Sequence, residues 1–115
     1  MIRLYTFFVL VLLVSFGAFG QKDEALRKKN IIKAEDLFLR ADYLKAYDLY
    51  SEILKYDTTH QEFNFRAGYC LFFINKTDTA SLKYFTRSKD SVIESHFFIG
   101  KIYLFNGNPR RALDA

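Results

Sequence analysis

The sequence predicts an all-α chain made of antiparallel helix hairpins that repeat along its length. The first observation behind this is periodic: Ala34, Leu37, Ala46 and Tyr50 recur at one constant offset as Gly68, Leu71, Ala80 and Tyr84. A third, incomplete copy follows as Gly100, Tyr103 and Ala112, at a slightly shorter constant offset from Gly68, Leu71 and Ala80. A period of about 34 residues marks a two-helix unit that buries its apolar face by stacking on its neighbours. The second observation is compositional. Glycine (5) and proline (1) are scarce in 115 residues, β-branched alternation is absent, and apolar residues recur every three or four positions. The third is that helix-start chemistry falls at the boundaries the repeat requires.

Residues 1–20 are read first as a segment apart. Arg3 precedes an apolar and small-residue run from Leu4 to Gly20, and Ala18-Phe19-Gly20 leads into polar Gln21. This is the layout of a cleaved secretory signal peptide, with Ala18 and Gly20 at the small-residue positions of the cleavage site. The alternative is a retained anchor, because about 17 apolar residues just span a thin bilayer. No cysteine stands near the end of the run to carry a lipid.

Residues 21–115 then form the helical repeat domain, with repeats at about 27–60, 61–92 and 93–115, the last incomplete. Six segments are expected. The first runs from about Glu24 to Arg40 and the second from Tyr43 to Tyr56. The third covers Gln61 to Ile74 and the fourth Thr79 to Lys89. The fifth covers Val92 to Phe105, and the sixth begins at Pro109. Thr59 with Glu62 and Ser91 with Glu94 are capping boxes, in which a hydroxyl and a carboxylate satisfy the backbone donors of a helix start. They are separated by the same interval as Gly68 and Gly100. Asn108 before Pro109 is an N-cap followed by a proline whose missing N–H costs nothing at that position, and Asp42 and Asp78 stand at the starts of the second and fourth helices. The small residues leave room for close helix approach. Leu37, Tyr50, Leu71, Tyr84 and Tyr103 fill the space around those contacts.

Without residues 1–20 the chain carries 16 basic and 13 acidic side chains, a net +3. The charges are interleaved, so there is no electrostatic footprint for nucleic acid. The one basic cluster, Lys22, Arg27, Lys28, Lys29 and Lys33, is broken by Asp23 and Glu24 and reads as a solvated helix face. Cys70 is the single cysteine and lies in an apolar stretch, so no internal disulfide forms and the thiol reads as buried and inert. His60 and His96 lack carboxylates at metal-sharing spacing, and no phosphate loop, nucleophile elbow or zinc motif occurs. No catalytic residue, cofactor or metal is expected, and the chain does not read as an enzyme.

The pattern resembles the tetratricopeptide repeat family, with its small residues at repeat positions 8 and 20 and large apolar residues at 11 and 24. Ala34, Leu37, Ala46 and Tyr50 fill those places in the first repeat, Gly68, Leu71, Ala80 and Tyr84 in the second, and Gly100, Tyr103 and Ala112 in the third. Ala41-Asp42-Tyr43 and Gly107-Asn108-Pro109 match the family's turn before its second helix. The chain departs from the pattern in three ways. The aromatic at position 4 falls on Asn30, Asn64 and His96, the closing proline is Thr58, and the position 27 alanine is Ile53 and then Arg87.

The resemblance implies a short right-handed solenoid with a partner-binding groove lined by the first helix of each repeat. Carried onto this chain, the groove comprises Lys28, Ile31, Glu35, Phe38 and Leu39, then Glu62, Phe65, Tyr69, Phe72 and Phe73, then Glu94, Phe97, Lys101, Leu104 and Phe105. An extended or helical peptide could dock on such an aromatic stripe. The aromatics could equally pack against further parts of the protein, since 18% aromatic content is a large amount to leave in water.

A looser similarity is to the N-terminal part of Bacteroidota-type envelope proteins, in which such repeats precede a β-propeller and an OmpA-like peptidoglycan-binding domain. It implies an exported scaffold for a protein or peptide partner at the periplasmic face of the outer membrane. In that reading the chain stops short of its capping helix as a fragment of a longer protein would, and any membrane association comes through downstream domains. The alternative it implies is a structural collar packed against those domains, in outer-membrane or peptidoglycan organisation linked to type IX secretion or gliding. Asp57-Thr58-Thr59, Asp78-Thr79-Ala80 and Asp90-Ser91-Val92 also resemble the O-glycosylation signal of that group, although turns select the same residue types.

Overall fold

The computed structural model describes residues 23–114, so the expected signal peptide lies outside the described residues. The chain divides into two compact units, residues 1–30 and 31–115. In the first, residues 23–30 are helical and Lys28 pairs with Glu24 at 3.8 Å, one helical turn apart.

The second unit is all-helical among its described residues. Helix α1 comprises residues 31–39 of this unit and is followed by α2 (Tyr43–Tyr56) and α3 (Gln61–Ile74). A 3-10 turn (Thr79–Ser81) leads into α4 (Leu82–Ser88), and then come α5 (Glu94–Phe105) and α6 (Pro109–Asp114). From α2 onward each helix packs on the next. Among these residues no helix is long and apolar enough to cross a membrane.

Two of the turns are chemically the same. After α1, Asp42 N–H donates to Leu37 C=O (2.9 Å) and Ala41 N–H to Phe38 C=O (3.0 Å). After α5, Asn108 N–H donates to Tyr103 C=O (2.8 Å) and Gly107 N–H to Leu104 C=O (3.0 Å). This paired closure satisfies the carbonyls a helix end leaves open, and it needs one residue in the left-handed region. That residue is Gly107 (φ 73°) in the second case and Ala41 (φ 60°) in the first. A Cβ in that conformation costs about 1 kcal/mol or more. Ala41→Gly is therefore expected to raise stability by about 1 kcal/mol, read as a higher midpoint of urea unfolding at unchanged slope.

The turn between α3 and α4 differs. Asn75 Oδ1 accepts from Thr77 N–H and Oγ1–H, and Asp78 Oδ1 accepts from Ala80 N–H at 2.9 Å, starting the 3-10 turn. Ala80, expected to be a packing residue, is exposed, and Ser81 is buried in its place. Arg87 is the physical reason. Keeping the register of α2, where Ala46, Tyr50, Ile53 and Leu54 are buried, would put Arg87 where Ile53 sits and bury a charge. The helix turns instead to a stripe of Ser81, Tyr84, Phe85 and Ser88, leaving Arg87 exposed against the Tyr84 ring. The 3-10 start makes this possible, because its residues advance by about 120° rather than about 100° each.

Both expected capping boxes are replaced. Thr59 uses its N–H and hydroxyl on Asp57 Oδ1 (3.2 and 2.9 Å), while His60 caps α3, its Nδ1 accepting from Phe63 N–H at 3.2 Å and its ring stacked 3.7 Å from that of Phe63. Helix α5 begins at Glu94 rather than Val92, because Ser91 and Val92 N–H groups donate to Ser88 C=O and Ser91 N–H also to Gln61 Oε1. Its cap position, Ile93, makes no side-chain cap.

The core comprises two clusters. Ala34, Ala46, Tyr50, Ile53, Leu54, Ala67, Cys70 and Tyr84 form the first, and Phe72, Phe85, Phe98 and Ile102 the second. Gly68 is buried between helices, and a Cβ built on it would lie 3.1 Å from Tyr84 Cβ and 3.1 Å from Phe85 Cε1. Buried and half-buried polar groups tie the hairpins together. Ser88 and Ser95 hydroxyls meet at 2.7 Å, Tyr47 and Tyr84 hydroxyls at 3.0 Å, and burial first, then the bond to Tyr84, pushes the Tyr47 phenol up to about 12.

Asn64 and His96 stand at one repeat position, and both reach back into the preceding turn. Asn64 Nδ2 donates to Thr58 and His60 carbonyls (3.0 and 2.8 Å), and His96 Nε2 lies 3.1 Å from Lys89 C=O. A polar side chain there pins the connection between hairpins.

Candidate protein-interaction face

The stripe of first-helix residues from α1, α3 and α5 is brought together by the fold, and its rings fill one another. Tyr69 of α3 meets Phe38 of α1 at 5.2 Å and Phe98 of α5 at 5.4 Å between ring centroids. Phe98 also meets Phe65 (5.9 Å) and Phe72 (5.1 Å), and lies parallel to Phe85 of α4 at 5.0 Å. Tyr43 of α2 joins the set through Phe38, Tyr69 and Phe73. Pairs of this kind contribute about 0.5–1.5 kcal/mol beyond the area they bury.

The expected groove residues therefore separate by depth. Phe72 is buried core, and Phe38, Phe65 and Tyr69 are half-buried within the ring network. Glu35 and Glu62 both pair with Arg66 (3.1 and 3.2 Å), and Lys28 lies in the first unit, paired with Glu24. Leu39 of α1 is 84% exposed, and toward the other end of the stripe Phe73, Phe97, Leu104 and Phe105 are 40%, 59%, 57% and 48% exposed. Lys101 Nζ lies 4.9 Å from the Phe97 ring centroid and makes no ion pair among the described residues, and Lys76 lies over Phe73 at 5.8 Å.

An open depression of about 320 Å³ lies here, lined by His96, Phe97, Gly100, Lys101, Leu104 and Ala112. Gly100 and Ala112, expected to let two helices approach, are half-buried around it, as is Tyr103 on α5. The other packing residues, apart from the exposed Ala80, lie at the hairpin contacts. Ala34, Ala46, Tyr50, Gly68 and Tyr84 are buried, and Leu37 and Leu71 are half-buried.

Arg66 is the residue that sequence reasoning passed over. Besides its two carboxylates it donates through Nη1 to Tyr50 OH (3.2 Å) and lies over the Phe38 ring at 5.5 Å, so one guanidinium joins α1, α2 and α3. Glu62 and Arg66 one turn apart were visible in the sequence. That Glu35 completes the set depends on how α1 and α3 meet. Phe98 was also missed, because its counterpart in the preceding repeat is Arg66, and a position held by arginine reads as solvent-facing.

Among the described residues no group of His, Cys, Asp or Glu could hold a metal ion. Cys70 is fully buried, and burial pushes its thiol up to about 12. The native chain is expected not to react with Ellman's reagent at pH 8, and to titrate one thiol in denaturing urea. Slow native reaction would place Cys70 in an opening segment. Compared with protein-family models, curated proteins and solved structures, the chain has no match.

Proposed function

We propose that the chain is an exported protein–protein interaction scaffold of the cell envelope, built as a short right-handed solenoid of the tetratricopeptide kind. The observation that carries the interaction reading is the exposed apolar end of the first-helix stripe. Phe73, Phe97, Leu104 and Phe105, with Lys76 and Lys101 laid across the rings, leave aromatic anchors in water beside charges able to orient a partner. The repeat architecture is supported by matching closures at Ala41-Asp42 and Gly107-Asn108 and by buried Ala34 and Gly68 at one repeat position. Export is supported by the run from Leu4 to Gly20.

The test is affinity capture with the folded full chain as bait on envelope fractions, beside a Phe97→Ala/Phe105→Ala double variant of unchanged helical spectrum. A partner held by the native chain and lost by the variant is the expected result. Folded bait that retains no partner would overturn the reading.

A further inference from the structure

We propose that the depression between α5 and α6 receives an amphipathic helix from a protein partner, and that this helix places a carboxylate against Lys101. The assignment rests on the interaction reading above and names the partner's chemistry.

The molecule supplies the template twice. The six lining residues, His96, Phe97, Gly100, Lys101, Leu104 and Ala112, occupy the repeat positions held in the preceding repeat by Asn64, Phe65, Gly68, Tyr69, Phe72 and Ala80. On that earlier face Gly68 is covered by Tyr84 and Phe85 of α4, and the aromatics are covered by α5, whose Phe98 seats on Phe65, Tyr69 and Phe72 at 5.9, 5.4 and 5.1 Å. One repeat further back, Tyr69 and Phe72 correspond to Glu35 and Phe38, and the covering element is α3. There Arg66, at the repeat position of Phe98, pairs with Glu35 at 3.1 Å and lies over Phe38 at 5.5 Å.

In both cases a helix covers the face, and the same position of that helix meets the same two positions beneath it. Its chemistry follows what lies below: a cation over Glu35 and Phe38, an aromatic over Tyr69 and Phe72. On the third face those two positions are Lys101 and Leu104. No carboxylate lines the depression, which holds Lys101 and His96, so the complementary group is an anion on an apolar helix face. Lys101 is free to turn toward it, since its ammonium contacts only the Phe97 ring and forms no ion pair among the described residues.

The probe is a synthetic peptide with the α5 sequence, Glu94 to Phe105. It is stapled across the positions of His96 and Gly100 to hold it helical, because an isolated helix of this length is marginal in water. The side that carries positions 95, 98 and 102 stays free. One form carries Glu at position 98 (F98E) and the other Arg (F98R), and each is titrated against the full chain. The F98E form is expected to bind about tenfold more tightly, and Lys101→Glu in the full chain should invert the preference. Leu104→Asp, a change at an exposed side chain that the fold tolerates, should abolish binding of both. Equal affinities, or binding unaffected by Leu104→Asp, would overturn the assignment. So would self-association of the chain that Leu104→Asp removes, since a second copy would then be the occupant. A captured envelope partner whose binding survives both Lys101→Glu and Leu104→Asp would overturn this assignment alone and leave the interaction reading standing.

Discussion

Phe98→Ala is expected to cost about 3–5 kcal/mol, the range for deleting a buried aromatic ring and leaving a cavity. At this ring α3, α4 and α5 meet. It lies parallel to Phe85 at 5.0 Å and meets Phe65, Tyr69 and Phe72 at 5.9, 5.4 and 5.1 Å. Its removal leaves Phe85 and Ile102, both fully buried, facing a void that the surrounding helices cannot close without moving α5. A domain of this size is stable by about 5–10 kcal/mol, so the loss takes a large share of the total. The measurement is urea unfolding followed by far-ultraviolet circular dichroism, since the chain contains no tryptophan. A midpoint shift worth less than about 1 kcal/mol would mean that the two clusters do not depend on this ring.

Gly68→Leu should cost about 3 kcal/mol, the upper part of the range for overpacking a well-filled interior. Even the first carbon of a side chain at Gly68 would come within 3.1 Å of Tyr84 Cβ and Phe85 Cε1. Tyr84 Cβ is fixed to the α4 backbone and cannot swing away. An alanine requires α4 to shift by a few tenths of an ångström and recovers the helix propensity that glycine lacks, so Gly68→Ala is expected to be close to neutral. The leucine has no such escape. It must separate α3 from α4, and with them the two helices that Ser88 and Ser95 link by a buried hydroxyl pair. A Gly68→Leu variant as stable as the native chain would show that the hairpins do not approach as closely as this glycine implies.

The residues that ended up where sequence reasoning placed them are those whose local and tertiary preferences agree. Helices α2 and α3 start and stop at the expected residues, because Asp42 and the polar run 57–60 interrupt two strongly apolar helical stretches. Ala34, Ala46, Tyr50 and Gly68 are buried because a hairpin offers one close-approach line, where residues without bulk fit and a large ring closes the space beside them. The misplaced ones are those where two groups compete for one position or one face. Thr59 could cap α3 or close a turn onto Asp57; it does the second, and His60 does the first. Ala80 could face the core only by taking Arg87 with it, and the charge decides.

The candidate face divides in the same way. That an aromatic and charged stripe runs along the first helix of each repeat was what the resemblance to the tetratricopeptide repeat family implied. Which of its members are open was not legible in the sequence. Phe38, Phe65, Tyr69 and Phe72 belong to a filled ring network, and Phe97, Lys101, Leu104 and Phe105 are left at its end.

Sequence alone determined that this chain is helical, where most of its helices begin and end, and at what interval its hairpins recur, because these follow from bonds and contacts within about four residues and from one periodic apolar pattern. Tertiary structure decided the rotation of α4, the joining of Arg66 to Glu35 and Tyr50, and the central seat of Phe98. Each of those depends on what a side chain meets across a helix interface, and that partner lies about 16 to 33 positions away in the chain for all but the nearest contacts. No local preference encodes such a meeting until the helices have packed.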